Sequence, residues 1–483
     1  MAYALQRSQP CACRRVSAGP SRSIRDGTNQ IHRSEPIMIS AVHAGTSRSL
    51  LLARLVEARR RTDALFHLIP PSRMLERPIA QRHRFIFYLG HLEAFDWNLL
   101  SERIEGRRAP SELDSLLAFG IDPLGHDAPG DAGSEWPDIS RIRAYNQDVR
   151  STLDTSLPHA LDAERFGERD HDAPTTALLV DVAIEHRLMH AETLAYMINQ
   201  SSMPRRIRRT TPVSSPARSA ERVRIPAGTA TLGIARDASR AFAWDNEYEA
   251  HTIEVPEFEI SRGMVSNGEY FDFIADGGYE TPEYWSATDW EWREQNAITR
   301  PGFWVDLDRR WYYRSLTELI PLPLDWPVYV SHAEASAYAR WAGLALPTEA
   351  QWHRAAYGTP DGEERAYPWG AAAPDARRGN FDFRSWEPRS VEAHAEGDSA
   401  FGVRGLLGNG WEWTSTPFAP FPGFRPFAFY PGYSADFFDG RHYVLKGGSP
   451  LTAAPMLRRS FRNWFQPHYP YVYSGFRCVA NQR

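Results

Sequence analysis

From about residue 47 to residue 200, apolar positions recur every three or four residues, the spacing that lines one face of a helix. Four amphipathic stretches follow, at 48–69, 78–104, 137–157 and 174–200. Pro78 falls where a first helical turn tolerates proline, and Asp172, Pro174 and Thr175 form a start signal for the fourth stretch. Four long helices in succession predict a bundle. The segment between the second and third, 106–136, carries Gly120, Pro123, Gly125, Pro129, Gly130 and Gly133 and is expected to be loop. After 223 the period changes. Short apolar runs (VRIPAGTATLGI, HTIEVPEFEIS, WPVYVS, YVLKGGS, GFRCVA) are broken by Gly, Pro and Trp, and helical spacing returns only near 267–277 and 331–356. This half reads as an irregular mixed domain, so the chain is α+β overall.

These shifts divide the chain. Residues 1–45, rich in Ser, Arg, Gly and Pro, are expected to form a disordered extension, with Met38 as the expected translation start. The bundle takes 46–202, an arginine-rich linker 203–222, and the mixed domain 223–483. A net charge of -5 over 483 residues argues against a nucleic-acid wrapper or a coat for anionic membranes. No apolar run reaches membrane-spanning length and no secretory signal is recognisable, so the expectation is a soluble cytoplasmic protein acting on small molecules. Its three cysteines, Cys11, Cys13 and Cys478, are too few for a disulfide framework or a four-cysteine zinc site.

The chemistry concentrates in histidines. In EHRLMHAET, His186 and His190 stand four apart and share a helix face, where two imidazoles can grip one metal ion. Such a pair is also compatible with surface residues or a hydrogen-bonded core pair. His91, in the aromatic stretch FIFYLGHLEAFDWN, favours the metal, because an unpartnered imidazole is costly to bury there. Arg187 after His186 rules out the HExxH zinc-protease pattern. Asp181, Glu185 and Glu192 are carboxylates that could orient the rings or simply lie in solvent.

The segments SRGMVSNGEYFDFIADGGY, SHAEASAYARWAGLALPTEAQWHRAAYG, GLLGNGWEWTST, YVLKGGS and RRSFRNWFQPHYPYVYSGFRCVA resemble, in order and spacing, the formylglycine-generating-enzyme (sulfatase-modifying-factor) domain, a C-type-lectin-like fold. Preceded by HLEAFDW and EHRLMHAET, they resemble the ergothioneine-biosynthesis sulfoxide synthases, whose bundle is DinB-like. The resemblance implies a non-haem iron(II), O2-dependent enzyme that attaches a chalcogen to imidazole C2 of hercynine, with His91, His186 and His190 as iron ligands. It implies that Asn463 and Trp464 line the hercynine pocket, with Trp464 suited to a trimethylammonium group. It also implies a proton-donating tyrosine, expected at Tyr430 with Tyr433 as neighbour.

Departures from the family's pattern concern the donor. Relatives that use γ-glutamylcysteine carry an Asp and an Arg where this chain has Phe465 and Tyr469, and a Gln where it has Met189. The family's paired inter-helix arginines find no match here. A dipeptide with two carboxylates needs such charges. The resemblance therefore points to the selenoneine-synthase branch, with a selenosugar donor, and to cysteine or γ-glutamylcysteine as alternatives. Asn409 and Glu412 in the GNGWEW turn offer oxygen ligands for a structural calcium ion, or ordinary turn hydrogen bonds. Three other activities compete: a true formylglycine-generating enzyme, which needs a reactive cysteine pair missing from the C-terminal segment; a lectin-like binding protein without catalysis; and a zinc thiol transferase of the DinB type.

Overall fold

The computed structural model describes residues 36–105, 108–118, 136–164, 174–210, 221–236 and 242–480, with side chains from Arg48 onward. The four expected helices are present as α1 (Pro36–His67), α2 (Phe85–Leu100), α4 (Ile139–Ala163) and α5 (Thr176–Gln200), with a short α3 (Glu112–Leu116) between the second and third. Apart from Phe95, Asn98 and Leu99, every residue of α2 is buried, as a helix apolar on all sides must be. Thr175 caps α5, its hydroxyl accepting the N–H of Leu178 at 3.1 Å.

Several boundaries differ from expectation. Regular structure begins at Pro36, inside the stretch expected to be disordered; residues 1–35 lie outside the described residues. The second helix starts at Phe85, not Pro78, because 76–84 is folded into turns in which the Arg77 guanidinium bonds the carbonyls of Ala80 and Arg82. The 106–136 segment is not all loop. Ser111 and Asp114 form a capping box that starts α3, while 119–135 lie outside the described residues. The expected linker is partly sheet: Arg206–Ile207 pairs in parallel with Glu318–Leu319, and Arg205 bonds the carbonyls of Ser315 and Asn199. Residues 211–220 are outside the described residues.

In the second half, a four-stranded sheet positions the site. Its order is Asn463–Phe465, Tyr443–Gly448, Gly410–Pro417 and Ser474–Gly475, antiparallel except for the last pairing. A second four-stranded sheet joins Arg222–Ile225, Phe258–Ser261, Val479–Ala480 and Leu344–Ala345. The helical stretch expected at 331–356 is two helices, His332–Trp341 and Glu349–Tyr357. Gly343, at φ +69°, turns the chain between them, a conformation costly for any side chain. The helix Ala287–Gln295 escaped the pattern because it buries no residue, and Ser286 starts it. WPVYVS makes only an isolated bridge between Pro327 and Ser266. Among the described residues, no helix is long and apolar enough to cross a membrane.

Candidate active site

His91 on α2 faces His186 and His190 on α5, and all three imidazoles are buried. One nitrogen from each falls within a 4.8 Å cluster, the one such group of potential metal ligands among the described residues. The His91 Nδ1 faces the carbonyl of Leu117, just past α3, at 2.7 Å. That contact assigns the ring proton to Nδ1 and leaves the buried Nε2 without a protein partner, its lone pair available. The Nε2 atoms of His186 and His190 lie 3.1 Å apart, closer than two bare lone pairs would rest. Burial pushes the His91 pKa down to about 4 and those of His186 and His190 well below the ordinary value, so all three imidazoles are neutral at pH 7. Stacking fixes the ring planes: Phe87 on His91 at 4.8 Å, and Phe95 on His186 at 3.5 Å. Three converging neutral imidazoles with orphaned nitrogens fit a divalent metal ion such as iron(II).

A buried ion network behind the histidines holds the two helices in register. Arg187, fully buried, donates to Asp96 at 2.6 Å, to Glu93 at 3.2 Å and to the Leu92 carbonyl at 3.0 Å. Arg150 on α4 also bonds Glu93, at 2.6 Å. The sequence showed Arg187 only as a mismatch to a protease motif; here it cross-links α5 to α2 one residue from a ligand.

His186 and His190 lie on the wall of a cavity of about 480 Å³. Asn463, Trp464, Phe465, Met189, Tyr430 and Tyr433 also line it, so six of the seven residues expected to bind substrate or move protons converge there. Trp464 is sandwiched by aromatic rings, parallel to Phe418 at 4.2 Å and edge-on to Tyr433 at 5.5 Å. Asn463 turns its amide oxygen to the backbone N–H of Trp464, leaving its NH2 as donor. The Tyr433 hydroxyl donates to the Met189 sulfur at 3.5 Å, and its ring lies against Trp244 at 3.9 Å. Tyr430 sits 5.6 Å from Phe95, the ring that stacks on His186.

Tyr469, the seventh residue, lines an adjoining cavity of about 760 Å³ that shares Arg82, Asp436, Phe437, Trp464 and Phe465 with the first. Its ring is parallel to Phe465 at 5.2 Å, and its hydroxyl accepts from Arg82 Nε at 2.8 Å. Arg82 is a residue of both cavity walls that sequence reasoning missed: the spacing reads as helix through this segment, so no side chain from it is expected near Tyr469. Arg108, in the inter-helix segment, pairs with Asp114 and stacks on Trp97 and Tyr145. Arg107 lies outside the described residues.

Carboxylates near the histidines do not orient the rings. Glu185 binds Arg458 at 2.6 Å and Trp244 Nε1 at 2.9 Å; Glu192 accepts from Trp411, Ser449 and Thr452; Asp181 pairs with Arg54. Glu185 and Glu192 tie α5 to the second half of the chain, and Asp181 ties it to α1. At the GNGWEW turn, Glu412 gives both oxygens to Arg477 and one also to Trp352, while the Asn409 amide bonds Asn380 and the Arg389 backbone. These are the turn hydrogen bonds that stand as the alternative to a calcium site. Cys478 is buried, its thiol pKa pushed up by desolvation.

Comparison with known proteins agrees with this arrangement. Residues 208–482 match the sulfatase-modifying factor enzyme 1-like domain, and residues 54–194 match the DinB superfamily. A hercynine oxygenase of Mycolicibacterium smegmatis is 37% identical over 353 residues, covering 70% of this chain and 78% of that protein. The hercynine oxygenase of Mycolicibacterium thermoresistibile is 40% identical, covering 64% and 69%. Ergothioneine biosynthesis protein 1 of Neurospora crassa is 28% identical, covering 86% of this chain and 56% of that protein. With its DinB-like bundle, its sulfatase-modifying-factor domain and its three-histidine centre, the chain is an oxidoreductase that belongs to the family of the hercynine oxygenases.

Proposed function

We propose that this enzyme uses iron(II) and dioxygen to join selenium or sulfur to C2 of the hercynine imidazole, with a neutral selenosugar as the favoured donor. The observation that carries the reading is a cluster of three buried, neutral imidazoles, two of them on the wall of a cavity rich in aromatic rings. Iron held by His91, His186 and His190 would supply the redox chemistry with dioxygen. For a selenoxide or sulfoxide product, the C2–H and chalcogen–H bonds break and the C–chalcogen bond forms. One oxygen atom ends on the chalcogen and the other leaves as water.

The chain's own residues divide the remaining work. Trp464, braced by Phe418, offers a ring face to the trimethylammonium group, and the Asn463 NH2 can donate to the betaine carboxylate. Tyr430 holds a transferable proton on the wall that it shares with His186 and His190. Phe465 and Tyr469, stacked parallel, suit a hydroxyl-rich donor lying against an aromatic surface. A second reading, cysteine or γ-glutamylcysteine as donor, is favoured by Arg82, whose guanidinium reaches the Tyr469 hydroxyl and would suit a carboxylate.

The test is anaerobic purification with iron(II), then an oxygen-started assay of hercynine against a selenosugar, cysteine and γ-glutamylcysteine, read by mass spectrometry. The expected result is oxygen-dependent coupling, fastest with the selenosugar. No coupling with any donor would overturn the activity. Efficient turnover of γ-glutamylcysteine with none of the selenosugar would overturn the donor assignment alone.

A further inference from the structure

The strand Gly410–Pro417 and the strand Tyr443–Gly448 are joined by a connection of 25 residues whose one helical turn, among the described residues, is Gly432–Ala435. This connection carries Tyr430 and Tyr433 into the cavity. A connection this long has few ladder bonds to hold it, so something else must fix the tyrosines.

Four consecutive buried residues, Trp244, Asp245, Asn246 and Glu247, lie beneath it. The Ser434 hydroxyl donates to Asp245 Oδ1 at 2.5 Å and accepts from Asn246 Nδ2 at 3.0 Å, and both Asp245 and Ser434 are fully buried. Upstream of Ser434, the Tyr430 N–H bonds the Phe427 carbonyl at 3.0 Å and the Tyr433 N–H bonds the Tyr430 carbonyl at 3.2 Å. Tyr430 thus sits within a run of turns that Ser434 anchors to the Asp245 carboxylate. The same four-residue segment reaches the metal helix, because Trp244 stacks on Tyr433 and donates to Glu185, the residue before His186.

We propose that Asp245, acting through Ser434 and the Phe427–Ser434 turn, is a positioning residue that fixes Tyr430 over the cavity wall formed by His186 and His190. It touches neither substrate nor metal. The inference rests on the reading of Tyr430 as the proton donor. Burial pushes the Asp245 pKa up to about 6, and its Oδ2 has no hydrogen-bond partner among the described residues.

The test compares Asp245→Asn, Ser434→Ala, Tyr430→Phe and the pair Ser434→Ala/Tyr430→Phe in the iron-loaded full chain. Four quantities are measured: coupled product, donor oxidised without coupling, KM for hercynine, and bound iron. Misplacing a reacting group by about 1 Å costs on the order of a hundredfold, so a loosened turn should lower coupling by roughly tenfold or more. Asp245→Asn and Ser434→Ala should shift the product towards oxidised donor in the same direction as Tyr430→Phe. Hercynine KM should stay within about twofold, because binding would be untouched, and bound iron should not change. The double variant should lose no more than Tyr430→Phe alone, since the clamp has no further work once the phenol is gone. Wild-type coupling in both Asp245→Asn and Ser434→Ala, or losses that multiply in the double variant, would overturn the proposal. If Tyr430→Phe itself changes neither rate nor product, the donor reading beneath it falls, a result told apart by that single variant.

Discussion

Arg187→Met is the sharpest perturbation of the candidate metal centre that leaves all three histidines in place. Methionine keeps the apolar bulk of the side chain but removes its three hydrogen bonds, to Asp96, Glu93 and the Leu92 carbonyl. Glu93 keeps Arg150 at 2.6 Å. Asp96 fares worse: one oxygen already lacks a hydrogen-bond partner, and the other loses Arg187 in a fully buried position. Breaking a buried ion pair on one side costs about 3–5 kcal/mol, and roughly 2–4 °C per kcal/mol for a domain of this size gives a fall of roughly 6–20 °C in the melting temperature of the bundle. Burial already holds the Asp96 pKa above the ordinary aspartate value of 3.8, against the pull of Arg187. Without Arg187 it rises further. The folded state then binds a proton that the unfolded state has released, so the deficit grows as pH rises above 3.8 towards the new folded-state pKa and shrinks on acidification. Asp96→Asn in the Arg187→Met background removes the stranded charge and should recover most of the loss. Unfolding followed by far-UV circular dichroism between pH 5 and pH 8, with iron counted per chain, checks this. A variant that melts within about 2 °C of the parent and holds full iron would refute the role given to the network.

Replacing any of His91, His186 or His190 by Ala should remove most bound iron and nearly all turnover; full iron in the His186→Ala protein, measured by plasma mass spectrometry, would sink the ligand assignment. Tyr430→Phe should lower coupled turnover on the order of a hundredfold, as loss of a general acid does, with hercynine KM barely changed; an unaltered rate would move the role to Tyr433. Phe465→Asp with Tyr469→Arg should shift donor preference from the selenosugar towards γ-glutamylcysteine, read as the ratio of kcat/KM values for the two donors. Arg82→Met separates the donor readings directly. A carboxylate donor would lose a charged hydrogen bond worth about 1.5–3 kcal/mol, roughly 10- to 150-fold in donor KM, and a neutral sugar far less.

The helices and the clustering histidines were legible because both depend on local spacing. An i, i+4 histidine pair shares a helix face wherever the helix goes, and an imidazole in FIFYLGHLEAFDWN must be buried whatever packs on it. Helix starts were less legible. Pro78 fits a first turn by propensity alone, yet the Arg77 bonds to nearby carbonyls hold that stretch in turns and bring Arg82 to the cavity. The capping box at Ser111–Asp114 was present in the sequence but lost among the glycines and prolines around it, and with it the Leu117 carbonyl that orients His91.

The sequence by itself determined the two-part division, the three histidines and the aromatic character of the substrate wall, since these follow from periodicity and residue type. Only the tertiary structure decided which carboxylates serve the site. Glu185 and Glu192 flank the histidines along the chain, but a carboxylate answers to donors in space, and theirs are Arg458, Trp244, Trp411, Ser449 and Thr452 from the other half of the molecule. Glu412 likewise takes Arg477, 65 residues away along the chain, as its partner. The pairing of Asp245 with Ser434, 189 residues away along the chain, is set wholly by packing. Hydrogen bonds and ion pairs act over about 3 Å, and no spacing rule reports which distant residues folding will bring that close.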